Sequence, residues 1–127
     1  MNTADNRFAT AAQFSIRPSG TVLFGEGEEP RGIYIIESGQ VDLVFSAKNG
    51  AHKSLRSLHA GEILGLSDVV GCTKRDCTAT TRTACRIGYV PANELRRMLE
   101  EDPSLWFGIA ASLSSDLGSC WNSMRAL

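Results

Sequence analysis

From Phe14 to Val90 the apolar residues come in short runs closed by glycine, proline or asparagine, and after Pro91 they recur at a helical interval. Phe14-Ser15-Ile16 alternates up to the turn Pro18-Ser19-Gly20, and Thr21-Val22-Leu23-Phe24 is a β-rich run that ends at Gly25-Glu26-Gly27-Glu28-Glu29-Pro30. Ile33-Tyr34-Ile35-Ile36 and Val41-Asp42-Leu43-Val44-Phe45 follow, parted by Ser38-Gly39. Lys48-Asn49-Gly50 then predicts a hairpin, because Asn-Gly accepts the positive φ that tight turns demand. Ser54 to Leu58, Thr78 to Thr83 and Ile87 to Val90 supply the remaining strands. Short strands at this spacing, with Gly or Pro between them, predict a mainly β fold, a sandwich or jelly roll.

Past Pro91 the period changes to about 3.6 residues. Leu95, Met98 and Leu99 form the apolar stripe of a short helix that Asp102-Pro103 stops. The same pair starts a second helix, 103–127, since Asp is a good N-cap and Pro is tolerated at the first helical position. Along it Trp106, Ala110, Leu113, Leu117, Cys120, Met124 and Leu127 advance by alternating steps of four and three, an a/d heptad seam. Ser112, Ser114, Ser115, Asp116, Ser119, Asn122 and Ser123 keep the stripe narrower than a core-packing helix needs. The seam predicts a homodimer through this helix; a core-packing helix with a chance heptad is the competing account.

Residues 1–12 are small and polar except for Phe8 and read as a flexible N-terminal arm; residues 13–127 form one domain, and 127 residues leave no room for a second. Thirteen Lys and Arg against 14 Asp and Glu give a net charge of −1, so the chain alone has no basic footprint for DNA. The N-terminus lacks a long apolar run, so neither a signal peptide nor a membrane span is expected and the location expected is cytoplasmic. Four cysteines without a CxxC pair give no metal site. No nucleophile, base and orienting group fall at a spacing with a catalytic reason, so no enzyme is expected.

One segment carries ligand chemistry: Gly61-Glu62-Ile63-Leu64-Gly65-Leu66, then a connector, then Arg75-Asp76. A Gly-Glu pair at a strand end offers backbone N–H groups beside a carboxylate, and a following arginine completes the layout of an anionic-ligand cradle. With Gly32 and Gly39 in order before it, the segment resembles the phosphate-binding cassette of the cyclic-nucleotide-binding domain superfamily, in its Crp/Fnr branch. The resemblance covers the chain from about residue 14. It implies a double-stranded β-helix (jelly roll) with C-terminal helices, the last a long dimerisation helix, and cyclic AMP or cyclic GMP as the ligand, with no other cofactor.

Carried over residue by residue, the resemblance implies that Glu62 accepts a hydrogen bond from a ribose hydroxyl. The N–H groups around Ile63 and Leu64 bind the cyclic phosphate, Arg75 neutralises it, and Trp121, next to Cys120, lies where the purine is touched. Two departures stand out. Asp76 follows the arginine where binding members have a small hydroxyl or alanine, and its charge both repels a phosphate and competes for the same guanidinium. The connector Ser67 to Lys74 is also longer than in cyclic-AMP-binding members. Two functions are therefore expected: the sensing and dimerising part of a transcriptional regulator without its helix-turn-helix, or a degenerate domain that serves as a protein interaction module.

Overall fold

The apolar run Ile33-Tyr34-Ile35-Ile36 buries Ile33, Ile35 and Ile36 to 4 % exposure or less. A strand covered on both faces reads as a continuous apolar stretch. The computed structural model describes residues 6–46 and 52–110. In chain order the elements are α1 (Asn6–Ala11), β1 (Gln13–Arg17), β2 (Val22–Phe24), β3 (Gly32–Ser38), β4 (Val41–Ser46), β5 (His52–Leu58), β6 (Ile63–Leu64), α2 (Leu66–Gly71), β7 (Thr78–Thr81), β8 (Cys85–Pro91) and α3 (Ala92–Glu101). Residues 105–110 are helical and are termed α4.

The strands form two antiparallel four-stranded sheets, ordered β1-β8-β3-β6 and β2-β7-β4-β5. Between them lies one core, with Leu23, Phe24, Ile36, Val41, Leu58 and Ile87. On the outer face of the first sheet a second core gathers Ile33, Ile35 and Val90 against Leu66, Leu95, Leu99, Leu105 and Ile109 of the helices. Both faces of the first sheet thus meet an apolar layer, which is what makes two packed sheets and a helical cap stable. At the β3–β4 corner Gly39 has φ +96°, and an added Cβ would lie 2.5 Å from the Cys85 sulfur and 2.7 Å from the Ala84 carbonyl, so the corner requires glycine.

Where an arm was expected, α1 forms and Phe8 is fully buried in the helix-side core. One aromatic ring accounts for the docking: complete burial of such a side chain is worth about 1.5–3 kcal/mol. Arg7 adds an ion pair from its Nη1 to the Asp102 carboxylate, 2.6 Å. Asp102 also accepts the Ser104 hydroxyl at 2.6 Å and the Ser104 backbone N–H at 3.2 Å, and these bonds hold its carboxyl below the usual carboxylate range. That is the capping role expected of it between α3 and the next helix.

Of the heptad seam, Trp106 and Ala110 lie in α4 and are exposed, Trp106 to 47 %, while Leu105 and Ile109 are the residues α4 buries. Leu113, Leu117, Cys120, Met124, Leu127 and Trp121 fall outside the described residues, as does the Lys48-Asn49-Gly50 turn. β4 and β5, on either side of that turn, pair antiparallel from Val41↔Leu58 to Ser46↔His52.

Candidate functional site

Gly61 opens the cassette with φ +91°, and its N–H donates to the Ile36 carbonyl at 2.8 Å. The Glu62 carboxylate accepts the His59 backbone N–H at 2.6 Å, which ties it to its own turn. Ile63 and Leu64 form β6, paired with Ile35 and Tyr34, and both side chains are buried. Gly65, φ +79°, turns the chain into α2, and a Cβ there would overlap the Arg75 guanidinium.

Arg75 is 3 % exposed and is the anchor of the region. Its backbone N–H donates to the Glu28 carbonyl and its carbonyl accepts from the Gly27 N–H, both at 2.8 Å, so the β2–β3 loop is fastened to it. Its side-chain Nη1 donates to the Gly65 carbonyl at 2.8 Å and to the Asp68 carboxylate at 3.2 Å, and Nη2 donates to the Gly32 carbonyl. The guanidinium also sits 4.2 Å from the Phe24 ring centroid, within cation–π range. Nε is buried without a hydrogen-bond partner. An ion pair buried this deeply is sustained only when further hydrogen bonds satisfy the charge, and here two carbonyls and a ring do so.

Between the sheets, beside this arginine, lies a cavity of about 80 Å³. Phe24, Leu43, Phe45 and Leu58 supply apolar lining, and Arg56, Asp68 and Asp76 supply charge. Arg75 and Glu62 are not among its lining residues; Arg75 instead lines a groove of about 560 Å³ under the β2–β3 loop, with Tyr34, Tyr89, Glu28, Glu29 and Arg31. Sites that enclose ligands of nucleotide size run to about 300–1,000 Å³. The cavity admits a few atoms.

Asp76 is exposed and lines the cavity, but the carboxylate that holds Arg75 is that of Asp68. The expectation that Asp76 competes for this guanidinium gives way to that pair. Sequence reasoning also missed Gly65, Gly32 and Phe24 as partners of Arg75. The one available signal was an aspartate in the connector Ser67 to Lys74, which reads equally well as a solvated loop charge. Cys77, next to Asp76, is pushed up to about 12 by burial and then by the Asp76 charge, so its thiol is protonated at neutral pH and unsuited to nucleophilic or ligand chemistry.

The cyclic nucleotide-binding domain model matches residues 17–102, well over half of the chain. The chain belongs to that family. At 26 % identity over 104 residues it is similar to lysophospholipase NTE1 of Kluyveromyces lactis, covering 77 % of this chain and 7 % of that protein. It superposes on the Thermus thermophilus catabolite activator protein with a TM-score of 0.83 and 19 % identity, covering 95 % of this chain and 57 % of the other. On the c-di-GMP-responsive global regulator CLP of Xanthomonas campestris the TM-score is 0.79 at 21 % identity, covering 94 % and 59 %. The chain thus spans under two thirds of each of these proteins, and the structural likenesses speak for the fold. Among the described residues no helix is long and apolar enough to cross a membrane, and no group of three His, Cys, Asp or Glu side chains could hold a metal ion.

Proposed function

We propose that this cyclic-nucleotide-binding domain acts, without catalysis, as a regulatory interaction module whose cassette is closed to cyclic nucleotide. The observation that carries the reading is the engagement of Arg75: its guanidinium is spent on Asp68, on the Gly65 and Gly32 carbonyls and on the Phe24 ring, and it does not line the adjoining cavity. A cyclic phosphate entering there meets the carboxylates of Asp68 and Asp76 before it meets this arginine. The output is contact with other chains, beginning with a second copy along the heptad seam that the sequence places at 103–127. The outward position of Trp106 and Ala110, with Leu105 and Ile109 already filling the core, supports that pairing.

The presence of an arginine in the cassette favours a second reading, nucleotide sensing as part of a transcriptional regulator. In it Gly61, Glu62, the Ile63 and Leu64 N–H groups, Arg75 and Trp121 grip cyclic AMP or cyclic GMP, and Arg75 exchanges Asp68 for phosphate. A thermal-shift screen separates the two. A ligand at a hundred times its dissociation constant stabilises a fold by about 2.7 kcal/mol. We expect no shift in melting temperature with millimolar cyclic AMP or cyclic GMP; a dose-dependent rise with either selects the sensing reading.

A further inference from the structure

Asp68 and Arg75 differ in what they face. Asp68, 7 % exposed, lines the 80 Å³ cavity, and Arg75, whose Nη1 it holds at 3.2 Å, does not. Of this ion pair, the carboxylate is therefore the member that faces the cavity. From this we infer that Asp68 is the specificity-determining residue of the cassette, an internal counter-ion that takes the place of an anionic ligand on Arg75 and excludes phosphate-type anions. The inference rests on the closed-cassette reading and adds the residue that closes it.

The charges around the cavity agree. Asp68 and Asp76 contribute two negative charges and Arg56 one positive, so the lining is net negative as it stands. Removing the Asp68 charge leaves Asp76 balanced by Arg56 and deprives Arg75 of its counter-ion. Of the guanidinium nitrogens, Nη1 meets Asp68 and the Gly65 carbonyl, Nη2 meets the Gly32 carbonyl, and Nε has no partner, so the guanidinium keeps an unmet donor. A guanidinium without its carboxylate is a strong receptor for a phosphate, which it meets through parallel N–H bonds. The position also explains why Asp76 is the lesser barrier: it repels an anion in the cavity, and its carboxylate does not hold Arg75. Displacing a paired carboxylate is the harder step, because the displaced charge must find water or another partner.

The experiment titrates the intact chain, Asp68→Asn and Asp76→Ser with inorganic phosphate and with cyclic AMP by calorimetry, and circular dichroism reports the fold of each. The unmodified chain is expected to bind neither probe, Asp76→Ser to gain little, and Asp68→Asn to bind at least about a hundredfold more tightly than Asp76→Ser, the gain vanishing in Asp68→Asn with Arg75→Met. A folded Asp68→Asn that binds no better than Asp76→Ser overturns the inference and leaves the closed-cassette reading standing. Micromolar binding by the unmodified chain overturns that reading itself. Should Asp68→Asn lose its fold in plain buffer, recovery of the native spectrum on adding phosphate supports the inference, and failure to recover counts against it.

Discussion

Arg75→Met is expected to destabilise the domain by about 3–5 kcal/mol, the usual cost of removing one partner from a buried ion pair. The substitution keeps an unbranched chain of similar length, so the loss is of charge and hydrogen bonds more than of volume. It takes the guanidinium away from the buried Asp68 carboxylate and removes its hydrogen bonds to the Gly65 and Gly32 carbonyls. It also unfastens α2 from β3, since those carbonyls lie just before the one and at the start of the other. Against a total stability of about 5–15 kcal/mol for a domain of this kind, that is a large fraction. Urea unfolding of the two proteins gives the number. Replacing both partners, Arg75→Met with Asp68→Leu, should recover a good part of the loss, because both charges of the buried pair are then gone. A cost under about 1 kcal/mol for Arg75→Met alone would mean that the guanidinium is not the anchor described.

Leu113→Asp with Leu117→Asp is expected to convert the proposed homodimer into monomers. In a two-fold contact each residue of the seam meets its counterpart, so both substitutions place carboxylates against carboxylates, or against apolar side chains, in a dry interface. An unpaired buried charge costs far more than two leucines contribute. Trp106 and Ala110, the part of the seam that is described, already point away from the domain's own core. Sedimentation at tens of micromolar should show a dimer for the unmodified chain and a monomer with an intact circular dichroism spectrum for the variant. A monomer in both cases refutes the seam.

The strands were legible because their residues alternate between neighbours of known kind: apolar runs of a few residues, punctuated by Gly39 or Pro30, leave little choice of element. The continuous run at Ile33 to Ile36 belongs to a strand with a layer on both faces, and Asp102 announced the break between two helices. The two short helices were not legible. α2 is six residues long, less than two turns, and no period can establish itself over that length. α1 carries a single large apolar residue, Phe8, whose burial depends on a groove made by distant parts of the chain. Ile16, which alternates with Phe14, is 66 % exposed, on a strand at the edge of its sheet.

The site divides in the same way. Gly61 could be read as a turn from its residue type, and Arg75 was singled out by the resemblance to the cassette. What Arg75 touches could not. Its partners come from β2, β3, the turn before α2 and α2 itself, and three of its contacts are with main-chain carbonyls or a ring, which carry no signal in residue type. The choice between Asp68 and Asp76 as its carboxylate depended on how the connector winds, and α2 decides it by bringing Asp68 inward.

The central claim, that Arg75 is held from within and is not available to a nucleotide, is tested most directly by its own Nε–H resonance in a heteronuclear NMR spectrum, followed as cyclic AMP is added to the intact chain. A buried guanidinium fixed by Asp68 and two carbonyls should give a slowly exchanging, well-dispersed signal that does not move up to millimolar cyclic AMP. A saturable shift of that signal, with resonances of Gly61 to Leu64 moving on the same curve, would show Arg75 releasing Asp68 for the ligand and would contradict the account.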